Sequence, residues 1–178
     1  SAERINEVLN RTAAVTEGST QRSTEHGTVE FQDVSFRYPH ASEDALSHLS
    51  FRVQPGQTLA IIGATGSGKS TLISLIARFY DATSGRVLVD GVDVKDYTFD
   101  ALYDRLGYVT QKAVLFSGSI RENIFFGESQ TPFNEQDLAK AVELSQAQEF
   151  VDKLPDKTEH HIAQMGSNVS GGQKQRLS

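Results

Sequence analysis

Apolar and polar positions alternate through TVEFQDVSFRY, residues 28–38: Val29 and Phe31 share one face, and after a shift of phase Val34 and Phe36 continue it. The pattern predicts a strand with a bulge where the phase slips. LSFRV at 49–53 predicts a second short strand, and QPGQ a turn. The apolar run TLAII at 58–62 then reads as a strand buried on both faces of a parallel sheet. In STLISLIARFY the apolar residues Leu72, Ile73, Leu75, Ile76 and Phe79 recur at helical spacing, which predicts a well-buried helix. GRVLVDGVDV is a strand, an Asp90-Gly91 turn and a strand, the strongest hairpin signal in the chain.

The second half reads as helical. Asn134 can cap a helix with Leu138, Ala141, Val142 and Ser145 on one face, and a further segment carries Phe150, Val151 and Leu154 until Pro155 stops it. At the other end, SAERINEVLN places Ala2, Ile5, Val8 and Leu9 on one face of a short amphipathic helix. Residues 16–27 are polar, contain glycine and lack apolar periodicity, so they read as a linker, and the domain proper begins near Thr28. Early strands followed by a strand–loop–helix unit indicate a mixed α/β domain with an antiparallel β attachment.

Composition narrows the classes without choosing one. A length of 178 residues with 38% hydrophobic content suits one compact domain, or one domain with a tail. Seventeen basic against twenty-three acidic residues, a net charge of −6, argue against a general nucleic-acid surface. Five scattered histidines suggest no metal cluster, and the absence of cysteine rules out disulfides and zinc–thiolate sites. The apolar runs are too short to span a bilayer, so any membrane link comes through a partner or through further chain.

Chemistry enters at IIGATGSGKS. Gly63, Gly68, Lys69 and Ser70 match G-x-x-x-x-G-K-[ST], between an expected buried strand and an expected helix, the context the motif requires. Glycines let successive backbone N–H groups curl around phosphate oxygens, and a helix starting near Lys69 adds its positive end. Lys69 would reach the β and γ phosphates and the Ser70 hydroxyl would ligate Mg²⁺. The ligand this loop predicts is a nucleoside triphosphate.

A second stretch, NVSGGQKQRLS at 168–178, contains Ser170-Gly171-Gly172-Gln173. On its own Ser170-x-x-Gln173 is a capping box that opens a helix. Together with the upstream loop it resembles the signature motif of the ATP-binding cassette (ABC) family, with Val169 where leucine is usual. The resemblance covers nearly all of residues 28–178. Tyr38 in VSFRYP matches the aromatic that stacks on adenine, and also reads as an exposed strand-end tyrosine. Gln111 in YVTQ matches the glutamine that bridges Mg²⁺ and the attacking water. VLFSGSIRENI resembles exporters whose transmembrane and ATP-binding domains share one chain. SAERI resembles the segment leaving their last transmembrane helix, and reads equally as a terminal amphipathic helix.

The resemblance implies a P-loop NTPase α/β core with an antiparallel β-subdomain and a helical subdomain over about 112–170. It implies ATP and Mg²⁺ as ligands. Gly63, Ala64, Thr65, Gly66, Ser67, Gly68, Lys69, Ser70 and Thr71 would cradle the phosphates, Tyr38 the adenine, and Ser70 and Gln111 the metal. Two such domains would pair head to tail, with Ser170, Gly171, Gly172 and Gln173 of one meeting the γ-phosphate held by the other. The remaining partner would be the transmembrane domain of the same transporter, preceding a linker over 1–27, at the cytoplasmic face of the cell membrane. Nucleic acid is not an expected partner.

The chain also departs from the family pattern. Its C-terminal Walker B part, with the D-loop and the switch histidine, is missing after Ser178. The expectation is a piece of an exporter that binds ATP at most and does not turn it over, with the 58–62 strand short of ladder partners and prone to self-association. Gln164 occupies the place where exporters usually carry a glutamate ahead of the signature. Two other readings stay open: a soluble ABC clamp in translation or DNA repair, and a small-molecule kinase in which SGGQ is accidental.

Overall fold

The computed structural model describes residues 5, 6, 9, 10, 12–127 and 133–178. The chain divides into two compact units, Ser1–Gly107 and Tyr108–Ser178.

The first unit is built on a four-stranded antiparallel sheet of order β2-β1-β3-β4, with β1 Val29–Phe36, β2 Leu46–Val53, β3 Ser84–Val89 and β4 Val92–Asp93. Val29 pairs with Val53 and Phe31 with Phe51, and the register then shifts before Val34 meets Leu49. That shift is the bulge foreshadowed by the change of phase, and Asp33 turns through it at φ +50°. The neighbouring strand accommodates it with Gly85, at φ +75°, where a Cβ would collide with the backbone of Asp33 and Gln32. The bulge keeps Phe31, Val34 and Phe36 all buried despite their mixed parity. Asp90 and Gly91 both have positive φ, as the tight two-residue turn between β3 and β4 demands.

Helix α1, Lys69–Ile76, buries Leu72 and Leu75 in the same cluster as Phe31, Val87, Val89, Tyr97 and Leu102. Helix α2, Phe99–Tyr103, is capped by the Thr98 hydroxyl, which accepts from the Ala101 N–H. The helix expected over STLISLIARFY is shorter and less buried than its periodicity suggested. It ends at Ile76, while Ile73 and Phe79 are 36% and 50% exposed. Only one stripe of α1 has a sheet to cover.

The expected strand at 58–62 is corrected outright. None of TLAII is in a strand, Leu59 is 49% and Ile62 93% exposed, and among the described residues no strand pairs with it. An apolar run becomes a strand only when a neighbour accepts its backbone bonds.

Residues 16–27 are not a free linker in the structure. The N–H groups of Gly18, Ser19 and Thr20 donate to the carbonyls of Tyr97 and Asp96, and Thr98 N–H returns a bond to Thr20. Gly18 admits this approach because a Cβ there would strike the Asp96 carbonyl. Arg78 donates to the Thr16 carbonyl, and the Glu17 carboxylate accepts from Phe99 N–H. The polarity that suggests a linker reflects hydrogen bonding to the domain. Of the expected N-terminal amphipathic face, Ala2 and Val8 lie outside the described residues, whereas Ile5 and Leu9 are helical and exposed.

The second unit is a set of short helices around Leu115, Ile120, Leu138, Val142, Val151, Ile162 and Leu177. Strand β5 Gly118–Ser119 pairs antiparallel with β6 His161–Ile162. Helices α3 Ile120–Ile124, α4 Glu135–Leu144 and α6 Gly171–Arg176 each open with a reciprocal capping box, from Ser119 and Glu122, Asn134 and Asp137, and Ser170 and Gln173. Helix α5, Gln148–Val151, follows a turn at Gln146, whose φ is +56°. The cap expected at Asn134 is thus in place, with Leu138 and Val142 on the buried face of α4.

Candidate functional site

In the first unit a hollow of about 410 Å³ is lined by Tyr38, Asp44, Gly66, Gly68, Lys69 and Thr71 among others. The loop that forms it owes its path to glycine. Gly68, the N-cap of α1, stands at φ +85°, and a Cβ there would come within 2.6 Å of the Ala45 carbonyl and 2.7 Å of Leu46 Cδ2. Gly66 has the same φ with open space around it, so it is required by backbone conformation alone. At Gly63 a Cβ would press on Ser67 Oγ at 2.5 Å.

Lys69 folds back across this loop, and its ammonium donates to the carbonyls of Gly63 and Ala64, each at 2.7 Å. Ser67 Oγ lies 3.4 Å from the same nitrogen. These acceptors are neutral; a phosphate oxygen is a stronger, charge-assisted one. Ser70, next along α1, is exposed and offers its hydroxyl while its carbonyl accepts from Ser74. The carboxylate of Asp44, on the same rim, is neutralised by Arg37 at 2.7 Å, which lowers its repulsion of an anion. The donor set therefore fits a triphosphate: a cation, a run of glycine backbone and two hydroxyls at one helix start.

Tyr38 sits just beyond the end of β1 and is 36% exposed. Its hydroxyl is 2.9 Å from that of Thr71, two residues past Lys69 in α1. Its ring meets Phe36 edge-on at 4.8 Å and Tyr80 edge-on at 5.3 Å. Tyr80 was missed in the sequence, where it reads only as the last aromatic of the α1 segment. An aromatic just after a helix that begins at a phosphate loop is the signal that could have found it.

The remaining sequence-derived residues belong to the second unit. Gln111 is exposed in the irregular stretch before Leu115, where Thr110 Oγ1 donates to the Lys112 carbonyl at 2.8 Å. Ser170 caps α6, its hydroxyl accepting from Gln173 N–H at 3.3 Å while Gln173 Oε1 accepts from Ser170 N–H at 2.8 Å. A Cβ at Gly171 or Gly172 would meet nothing within 4 Å, and neither has positive φ. Among the described residues, nothing requires glycine at either position. The loop before them is braced from α6 by Lys174, which donates to the Met165 carbonyl at 2.8 Å. Asn168 ties the same loop to the end of β6, bonding Ala163 N–H and the His161 carbonyl.

In that unit Phe116 and Phe126, 50% and 67% exposed, stack at 4.3 Å beside a second hollow of about 400 Å³. Among the described residues no helix is long and apolar enough to cross a membrane, and no group of three His, Asp or Glu could hold a metal ion.

Comparison with known proteins adds to this geometry. Residues 46–178 match the family model described as ABC transporter. The chain is 44% identical, over all 178 residues, to the ABC transporter ATP-binding protein YfiB of Bacillus subtilis, of which it covers 31%. It is 43% identical over its full length to an ATP-dependent lipid A-core flippase of Xanthomonas oryzae pv. oryzae, covering 30% of that protein. Among solved structures, a bacterial Atm1-family ABC exporter with ATP bound superposes with a TM-score of 0.86 at 30% identity, over 99% of this chain and 31% of the other. The chain spans about 30% of the length of the curated relatives it matches.

Proposed function

Because the chain belongs to the ABC transporter family, we propose that it is the ATP-binding portion of an exporter and that the loop of residues 63–71 grips the phosphates of Mg-ATP. The observation that carries this is the loop itself. Gly68 is held at a position where any side chain collides, and the Lys69 ammonium lies over the loop on acceptors that a phosphate can replace. In this reading Tyr38 stacks on adenine, and Ser70 and Gln111 supply oxygens to Mg²⁺. The bound metal would neutralise charge between the phosphates.

Residues 28–178 then belong to an ATP-binding domain whose helical part runs over about 112–170, and residues 1–27 connect it to a transmembrane domain on the same polypeptide. That domain would hold it at the cytoplasmic face of the cell membrane. The flippase and exporter relatives favour export over a soluble clamp acting on ribosomes or DNA. Hydrolysis of ATP is the activity proposed for the whole transporter, and ATP binding is the part of it assigned to the residues of this chain.

The second partner is another ABC domain, arranged head to tail. Two adjacent glycines at the start of α6 each cost helix stability, and neither is required by packing or by φ. A ligand approaching from outside explains them: the γ-phosphate held by the other domain, set against Ser170, Gly171, Gly172 and Gln173. The exposed Phe116–Phe126 stack suits a protein partner as well.

Calorimetric titration with Mg-ATP, beside Lys69→Ala, tests the reading. Saturable binding lost in Lys69→Ala is the expected result. Equal binding by both proteins, or none by either, would overturn it.

A further inference from the structure

We infer that Tyr80 is a positioning residue for the base end of the nucleotide site, holding the Tyr38 ring in place and thereby setting how much of the affinity comes from adenine. The inference rests on the ATP reading above.

Tyr38 lies in the segment between β1 and β2, outside any strand, so its backbone alone does not fix its ring. Three separate elements do. Phe36, at the end of β1 and only 3% exposed, gives the fixed wall at 4.8 Å and an interplanar angle of 82°. Thr71, in α1 and 6% exposed, takes the phenol hydroxyl at 2.9 Å. Tyr80, beyond the end of α1, closes the triangle, 5.3 Å from Tyr38 at 86° and 5.5 Å from Phe36 at 48°.

Edge-to-face contacts fix an aromatic plane because the positive rim of one ring seeks the negative face of the other. With all three in place the Tyr38 plane is set before a base arrives. Without Tyr80 the ring keeps one wall and one hydroxyl, and binding a base must then freeze a rotation that the fold otherwise removes in advance. The same triangle ties the two ends of the ligand together. Thr71 follows Lys69 and Ser70 on α1, so the bond to Tyr38 fixes the aromatic platform to the helix that starts at the phosphate loop.

Tyr80 is 39% exposed, so losing its ring does not open a cavity in the core. It does not line the hollow, whereas Tyr38 and Thr71 do. Its effect on binding therefore passes through Tyr38 and is confined to ligands that carry a base.

The test compares Mg-ATP with Mg-tripolyphosphate, which has the phosphates and no base, on the 178-residue chain and on Tyr80→Leu and Tyr80→Phe. Tyr80→Leu is expected to weaken ATP about three- to tenfold, the size of one aromatic pair, and to leave tripolyphosphate unchanged. Tyr80→Phe keeps the ring and is expected to restore ATP binding to near the parent value. Equal loss for both ligands would show a merely structural role and overturn the inference, as would an ATP affinity indifferent to Tyr80→Leu. If the parent chain binds tripolyphosphate as tightly as ATP, the base adds nothing and the inference fails while the phosphate loop stands. If it binds neither, the nucleotide reading itself falls and takes the inference with it.

Discussion

Arg105 donates to the Asp90 carboxylate at 2.6 Å, with only 15% and 4% of the two side chains exposed. The other oxygen of Asp90 accepts from Thr28 N–H at 2.9 Å, and the same guanidinium reaches the carbonyls of Ser23 and Glu25. It also stands over the ring of Tyr97, whose phenol donates to the Val89 carbonyl. Burial, partly offset by Arg105, raises the pKa of that phenol, so it stays a donor. One ion pair thus joins the β3–β4 turn, the start of β1 and the segment 16–27.

Arg105→Met should therefore do more than delete a surface charge. It leaves a buried carboxylate with one remaining donor, and the expected loss is about 3 kcal/mol, the low end for breaking a buried pair. Urea unfolding measures it, and hydrogen exchange over residues 18–25 should quicken in the variant. An unchanged unfolding midpoint would refute the role given to this pair.

Gly66 and Gly68 share a φ of +85°, yet they should respond differently to alanine. At Gly66 the cost is conformational alone, about 1–2 kcal/mol for a left-handed residue with a Cβ. At Gly68 the new methyl also meets the Ala45 carbonyl and Leu46, so the loop has to move. Gly68→Ala is expected to abolish ATP binding in titration, whereas Gly66→Ala weakens it. Equal affinities for the two variants would mean that the collision at Gly68 is relieved without displacing the loop.

Replacing Gly171 or Gly172 by alanine should stabilise the chain, an unusual direction for residues assigned to a binding site. Alanine is favoured over glycine in a helix by up to about 1 kcal/mol, and there is open space for the methyl at both positions. Thermal unfolding is expected to rise, while ATP-dependent self-association, followed by sedimentation, is expected to fall. A variant that is more stable and associates normally would remove the reason proposed for these glycines.

Arg121, in α3, donates to Glu135 at the start of α4 and lies near Glu159. The hydrogen bond from Arg121 holds the Glu135 carboxyl below its ordinary pKa. A carboxyl lowered by folding adds stability that is fully present above its unfolded value, about 4.3, and is lost as the pH falls through the folded value. Melts of the parent and of Glu135→Gln should differ slightly at neutral pH and converge in acid, the small size following from an exposed pair. A difference that grew on acidification would contradict the sign.

Local rules were enough wherever a signal is short-ranged. The phase slip between Phe31 and Val34, the Asp90-Gly91 turn, the caps at Asn134 and Ser170 and the glycine loop with its lysine could all be read from neighbouring residues, because backbone sterics and helix-end hydrogen bonds act over a few positions. The family, too, is written in such local motifs. What sequence could not decide depends on which distant segment lies alongside. TLAII has every local mark of a buried strand, yet it forms none here, since a ladder needs a partner and Ile62 meets solvent instead. Residues 16–27 have every mark of a linker, yet Arg78, Arg105 and the 96–98 backbone hold them to the sheet unit. The contact of Tyr38 with Tyr80 joins residues forty-two positions apart, placed together only when α1 packs on the sheet. Tertiary structure decided these because burial and pairing are properties of neighbours in space, which a single run of residues does not specify.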